Sequence, residues 1–310
     1  MRAALCILFG TLLWANAASA AVPLVPHPAP GLRAPAAELL RDVSKDAERM
    51  RRTIAPGDVR PIEVHVHPNP RALRKAAPGG VRLPRHALGV AYPDLRRVDV
   101  SLSGHAGALP MAPQTLLLHE IAHVLVSDAA SGKRVPRWLT EGIAVYFSGE
   151  FSFDRFGALA SAVHGGRIRS VRTLSAGFGG RDHEVSAAYA QAASFVAYLV
   201  EEDGPGAIRD LLRRLGEGET IDDALTGAYA TPVAAIDRDF RRVLEDRYRL
   251  WPALTGTGAL WGTGAILLVA AWARRRRQKD RPWPDEDPDD AEIGEEGRAE
   301  LENSPVSPQG

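Results

Sequence analysis

The stretch TLLLHEIAHVL, residues 115–125, is the sequence feature that most limits how this chain can fold. It places two histidines and a glutamate inside a run of leucine, isoleucine, alanine and valine, a composition typical of a buried helix. On a helix, His119 and His123 stand one turn apart on the same face. Because buried polar groups need partners, the pattern predicts a metal ion that binds both imidazoles.

Glu120 completes the pattern HExxH, in which a carboxylate beside the first histidine acts on a metal-activated water rather than on the metal. The alternative is a pair of structural core histidines bonded to backbone carbonyls, with Glu120 at a gap to solvent. A catalytic zinc site needs a third protein ligand and one open position. Glu141, in the apolar helical stretch VPRWLTEGIAVYF, is the candidate. Its alternative role is a surface carboxylate near a helix start.

Together, LLLHEIAHVL and VPRWLTEGIAVYF resemble the gluzincin metallopeptidases, and in particular the peptidase MA-like domains, whose pattern is HExxH followed by a helix reading WLxEGxA. The resemblance runs from about residue 90 to residue 247. It implies a zincin-like fold, with a small twisted sheet, an active-site helix and a helical C-terminal lobe. It also implies zinc as the cofactor, with His119, His123 and Glu141 as its ligands. Glu120 is then the general base in peptide-bond hydrolysis.

Two parts of such a site are less well defined by the sequence. Tyr189, near the start of a later predicted helix, resembles the oxyanion donor of the family; a packing role is the alternative, and His183 and Tyr146 are further candidates. Some relatives carry a carboxylate four residues after the glutamate ligand to support a histidine, and here that position is Val145. The sequence therefore does not identify the side chain that supports the zinc ligands.

The rest of the chain predicts an α+β fold, with strands in the first half and helices in the second. IEVHVH alternates strictly, which predicts a half-buried strand and assigns His65 and His67 to its polar face rather than to a metal site. Residues 88–104 predict two strands around a turn, and we expect residues 98–102 to be the edge strand along which substrate lies. Residues 21–34 predict a proline-rich extended leader. Helices are predicted at residues 35–52, 112–128, 136–148, 185–202, 205–215 and 232–248.

The two ends of the chain predict export and a membrane anchor. Residues 1–20 have a positive start, an apolar core and small residues before a cleavage point, which is typical of a signal peptide; an uncleaved anchor helix is the alternative. Cys6, the only cysteine, lies there, so the mature chain has no thiol. Residues 254–273 are uncharged and precede four arginines, which predicts a transmembrane helix. Residues 274–310 are predicted to begin as a basic stop-transfer segment and to continue as a disordered acidic cytoplasmic tail. Gly258 and Gly262 offer a weak homodimer face on that helix.

These features predict a membrane-anchored zinc metallopeptidase whose domain, residues 21–250, lies outside the cytoplasm and takes a peptide or protein substrate. With 38 basic and 38 acidic residues the chain has no net charge, so nucleic acid is not expected as a partner. An intramembrane protease is disfavoured because Asp128, Lys133 and Arg134 closely follow the motif. The alternative class is a zincin-fold binding or scaffold module of the cell envelope without catalysis. The sequence identifies neither the substrate nor whether cleavage is internal or terminal.

Overall fold

A small mixed sheet forms the first half of the fold. The computed structural model describes residues 23–57, 60–85, 87–103, 111–150, 153–249 and 257–279. The strands β1 (Leu24–Pro28), β2 (Ile62–His67), β3 (Gly89–Tyr92) and β4 (Arg97–Ser101) lie in the spatial order β1-β2-β4-β3. β1, β2 and β4 run parallel, and β3 is antiparallel to β4.

The two faces of the sheet differ because side chains alternate along each strand. On the inner face, Val64 of β2 and Val98 of β4 are fully buried. Helices α1 (Arg33–Ile54) and α3 (Pro113–Ala129) pack against the sheet. On the polar face, the short helix α2 (Pro70–Ala76) lies beside β2 and β4, and its last carbonyl accepts a 3.0 Å hydrogen bond from Arg97.

Helices make up the second half of the fold. After α3 come α4 (Arg137–Ser148), α5 (Phe153–His164), α6 (Asp182–Asp203), α7 (Pro205–Gly216), α8 (Ile221–Tyr229) and α9 (Val233–Tyr248). The ring of Phe195 on α6 lies 5.2 Å from Trp138 of α4 and 4.7 Å from Phe240 of α9, between centroids. The protein is thus a mostly helical α+β fold with a four-stranded sheet, and the predicted α+β class is confirmed.

Two predictions about the strands are wrong. The stretch expected to be an extended leader contains β1, an edge strand that tolerates Pro26 and Pro28 because one of its sides needs no hydrogen-bonded neighbour. Residues 98–102 were expected at a sheet edge, but β4 lies between β2 and β3, so β3 is the edge on that side. Local alternation shows which residues form a strand, whereas the crossover connections set its neighbours. Helices α2, α5 and α8 were not predicted from the sequence.

A second compact unit begins at Leu250 and contains one described helix, Thr257–Lys279. The transmembrane prediction for residues 254–273 is not supported, since no helix in the described part of the chain is both long and apolar enough to cross a bilayer. The helix has a low mean hydropathy because it contains glycines and threonines early in its sequence and four arginines near its end. Residues 1–20 and 280–310 lie outside the described ranges. The signal peptide, the acidic tail, the domain limits and the pairing through Gly258 and Gly262 therefore stay predictions.

Candidate metal centre

Two helices bring the three predicted metal ligands together. His119 and His123 lie on α3, and Glu141 lies on α4. The Nε2 atoms of His119 and His123 are 3.7 Å and 4.0 Å from Oε2 of Glu141. One ligand atom from each residue lies within 4.8 Å of the other two. Two imidazole nitrogens and one carboxylate oxygen form a donor set that zinc uses in catalytic sites.

Close packing between α4 and α6 fixes the position of Glu141. The next residue is Gly142, and a Cβ atom there would lie 2.6 Å from the carbonyl oxygen of Ala192 and 2.9 Å from Val196. Trp138, earlier on α4, is buried against Phe195. Packing therefore requires glycine at position 142, because only a residue without Cβ allows the two helix backbones to approach this closely.

Glu150 lies behind the first histidine, and the sequence did not identify it. Its Oε2 atom lies 3.0 Å from Nδ1 of His119, the ring nitrogen opposite the one that faces Glu141. Gly149 ends α4 in the left-handed conformation, with φ of 68°, and this turn directs the chain back to α3. Arg155 in turn lies 2.5 Å from Oε1 of Glu150. In the sequence, the signal for this residue was a carboxylate directly after the glycine that ends the helix. Glu150 occupies the position behind His119 for which Val145 offers no carboxylate.

The carboxylates around α3 create an environment that stabilises positive charge. Burial alone would lower the pKa of His119, but Glu141 and Glu150 outweigh it and raise that pKa to about 10. Burial lowers the pKa of His123 to about 4, and the neighbouring charge of His119 acts in the same direction. The centre thus favours a cation near Glu141 while it keeps His123 neutral, which is the state a metal ligand needs.

Glu120 lies at the wall of a cleft between α3 and β3. The cleft has a volume of about 400 Å³ and is lined by Glu120, His123, Val90, Ala91 and others. Burial, followed by the charges of Glu141 and Glu150, raises the pKa of Glu120 to about 7 and outweighs the lowering effect of His119. A carboxylate with such a pKa can accept and return a proton near neutral pH.

Gly89 on β3 makes room for this glutamate. A Cβ atom on Gly89 would lie 2.8 Å from Oε1 of Glu120 and 2.9 Å from Leu116 of α3. The glycine therefore allows the active-site helix to approach the edge strand. A bulkier side chain would force Glu120 away from its place between the strand and the two histidines.

Tyr189 of α6 lines a small pocket with His119, Glu120 and Glu150. Its ring lies under the guanidinium of Arg155, at 4.8 Å, and 4.9 Å from the ring of Phe178. Burial, followed by the charge of Glu141, raises the pKa of the Tyr189 hydroxyl, so it stays protonated and able to donate a hydrogen bond. The two other candidates lie elsewhere: His183 lines a separate pocket, and Tyr146 is 37% exposed.

Comparison with protein families identifies the fold that carries this site. The family model described as the Peptidase MA superfamily matches residues 47–246, which include the whole candidate centre. The chain belongs to the Peptidase MA superfamily. The match confirms the predicted peptidase MA-like domain and begins earlier than the resemblance seen in the sequence, so it includes β2 and most of the sheet. No curated protein matches the chain in a direct sequence comparison.

The residues present fit the metal dependence that is typical of the Peptidase MA superfamily. The three ligand atoms converge, Glu150 backs the distal nitrogen of His119, and both imidazoles are largely buried, with side-chain exposures of 13% and 18%. Arg137 lies 3.4 Å from Oε1 of Glu141, whereas Oε2, the other carboxylate oxygen, faces the two imidazoles. The donor set therefore suits a divalent metal ion.

Proposed function

We propose that the chain is a zinc-dependent peptidase that uses Glu120 as its general base. The observation that carries the proposal is the convergence of His119, His123 and Glu141 beside a glutamate whose pKa burial raises to about 7. Membership of the Peptidase MA superfamily supports hydrolysis of peptide bonds as the reaction class. Within the described residues, the same donor set with a neighbouring base does not recur.

Zinc held by His119, His123 and Glu141 would polarise the scissile carbonyl and make water a nucleophile near neutral pH. The carboxylate of Glu120 takes one proton from the attacking water as its oxygen bonds to the carbonyl carbon. The resulting carboxylic acid then gives that proton to the leaving amine as the C–N bond breaks. The pKa of about 7 suits both steps, because neither transfer is strongly uphill.

Tyr189 is the candidate donor to the carbonyl oxygen as it gains negative charge. Tyr189 lines a pocket together with His119 and Glu120, and the guanidinium of Arg155 lies against its ring. A protonated phenol held by such packing offers a hydrogen bond without reorganisation. Substrate is proposed to add as a further strand beside β3, because β3 is the sheet edge and its residues line the cleft that contains Glu120.

The test is cleavage of a fluorogenic peptide library by the zinc-loaded full chain and by Glu120→Gln. General-base catalysis contributes about 10²–10⁴-fold in rate, so we expect a loss in that range with zinc retained. The exposed Glu202→Gln on α6 is the matched control and should cleave at the wild-type rate. Equal cleavage by wild type and Glu120→Gln would overturn the mechanism. A folded, zinc-loaded wild type that cleaves nothing would instead favour a binding or scaffold module.

A further inference from the structure

A second set of two histidines and one glutamate lies on the polar face of the sheet, apart from the centre on α3 and α4. The parallel pairing of β1 with β2 sets His27 directly opposite His65. Glu63 precedes His65 by two residues and therefore points to the same face. His27 and Glu63 are exposed, and His65 is half-buried. The sequence alone could not bring His27 to this face, because β1 was not predicted as a strand.

The three side chains are close enough to share one ion. The rings of His27 and His65 stack with centroids 4.5 Å apart and an interplanar angle of 11°. Nε2 of His65 lies 3.3 Å from Oε2 of Glu63, and one ligand atom from each of the three residues lies within 4.8 Å of the others. Two ligand atoms at about 2.0–2.1 Å from a tetrahedral zinc are themselves about 3.3 Å apart. The Glu63–His65 pair already has that separation.

The cation beside this set on the sheet has a partner of its own. Arg97 lies opposite Glu63 in the strand register, and its guanidinium is paired with the buried carboxylate of Asp99 at 2.7 Å and 2.8 Å. Asp99 also contacts His67, at 2.6 Å, so His67 belongs to that network rather than to the exposed set. The carboxylate of Glu63 can therefore serve as a metal ligand together with the imidazoles of His27 and His65.

The face also has room for an ion and its remaining ligands. His27 and His65 line a surface depression of about 710 Å³, together with Arg33 of α1 and prolines of β1. Three protein ligands leave at least one coordination position for water or for a donor from another molecule. Imidazole nitrogens select zinc, copper or nickel over magnesium and calcium, which take oxygen ligands.

We propose that His27, Glu63 and His65 form a second, surface site for a divalent transition-metal ion, with zinc as the simplest occupant. The ion would link β1 to β2, and β1 has no other neighbour in the described sheet. Metal binding would therefore hold the edge strand against the rest of the domain. This role does not depend on the peptidase reaction.

The test measures zinc bound by the full chain in the His123→Ala background, which removes a ligand of the buried centre. We expect the triple variant His123→Ala, His27→Gln, His65→Gln to bind one zinc fewer than its parent at equal free zinc. Adding His183→Gln to the parent instead, an exposed histidine on α6, should change nothing. Magnesium should not compete. Matching far-UV circular dichroism of the metal-free variants shows that each is folded.

Hydrogen exchange gives the second measurement and locates the ion. Zinc should slow amide exchange in residues 24–28 of the wild-type chain, and this protection should disappear in His27→Gln, His65→Gln. Equal zinc binding by the parent and the triple variant, with no change in β1 exchange, would overturn the surface site. The proposed peptidase function would stand or fall separately, because its test is cleavage by Glu120→Gln.

Discussion

Two clusters of the same composition, two histidines and one glutamate, lie in opposite surroundings in this protein. His119, His123 and Glu141 are held by two helices inside the domain, where Glu150 backs one ring. His27, Glu63 and His65 lie on two strands at the surface. Water can solvate the surface cluster, whereas the buried one needs a cation or a proton to offset its charges. The types of the ligand residues therefore identify a metal site less well than their burial does, together with the side chains that contact the ligands, such as Glu150.

The largest difference between the clusters should appear when each glutamate is neutralised. Glu141→Gln keeps the shape of the side chain but removes its charge, and should weaken zinc binding at the buried centre by more than about 100-fold, beyond the effect typical of outer contacts. Glu63→Gln should reduce only the weaker surface binding. Competition with a chromogenic chelator measures both. Similar losses at the two sites would remove the distinction that we draw from burial.

Removing the support behind His119 should have the next largest effect. Glu150→Gln should lower metal affinity or peptide cleavage by about 10–100-fold, because outer partners orient the ring and raise its basicity. Glu202→Gln, an exposed glutamate on α6, is the control and should match wild type in the same chelator competition. Wild-type affinity and activity in Glu150→Gln would show that the 3.0 Å contact has no role.

The polar face of the sheet contains its own buried network, and Asp99→Asn tests it. Burial would raise the pKa of Asp99, but hydrogen bonds from His67 and Arg97 outweigh it and lower that pKa. The stabilisation is therefore present above the unfolded-state pKa and is lost as the pH falls through the folded-state pKa. Asp99→Asn should cost about 1.5–3 kcal/mol of unfolding free energy near neutral pH, and the gap from wild type should narrow in acid. Urea titrations at several pH values measure it; a gap independent of pH contradicts the assignment.

The tight approach of α4 to α6 predicts a cost for Gly142→Ala. The added methyl would lie 2.6 Å from the carbonyl oxygen of Ala192, and such overpacking typically costs about 1–3 kcal/mol. Gly157→Ala on α5 is the matched control, because nothing lies within 4 Å of the new Cβ atom. It should stabilise the helix by about 0.5–1 kcal/mol. Thermal unfolding of both variants decides whether the glycine after Glu141 is required for packing.

The smallest expected effect concerns the surface cluster without metal. His27→Gln should change the unfolding free energy by less than about 0.5 kcal/mol in zinc-free buffer, because His27 is exposed on an edge strand. With zinc added, the wild type should become more stable than the variant. Denaturant unfolding with and without zinc measures both values. A large loss in zinc-free buffer would mean that the stacked rings, rather than an ion, join β1 to β2.

Local patterns in the sequence predict the parts of this site that lie within single helices. His119, Glu120 and His123 need only helical periodicity, and Glu141 needs only the second helix. Glu150 escaped prediction because it reaches His119 through the left-handed turn at Gly149, and its partner is distant in sequence. His27 and the edge position of β3 escaped for a related reason, since strand order follows from long connections rather than from alternation. Contacts between residues that are distant in the sequence are the hardest to predict from local patterns.

The zinc content of the buried centre shows whether His119, His123 and Glu141 form a metal site. The measurement is elemental analysis of the full chain in the His27→Gln, His65→Gln background, beside the same chain with His123→Ala, after loading with zinc and dialysis. We expect about one zinc per chain in the first protein and almost none in the second. A folded first protein that retains no zinc after loading, or equal zinc in both, would contradict a metal centre formed by His119, His123 and Glu141.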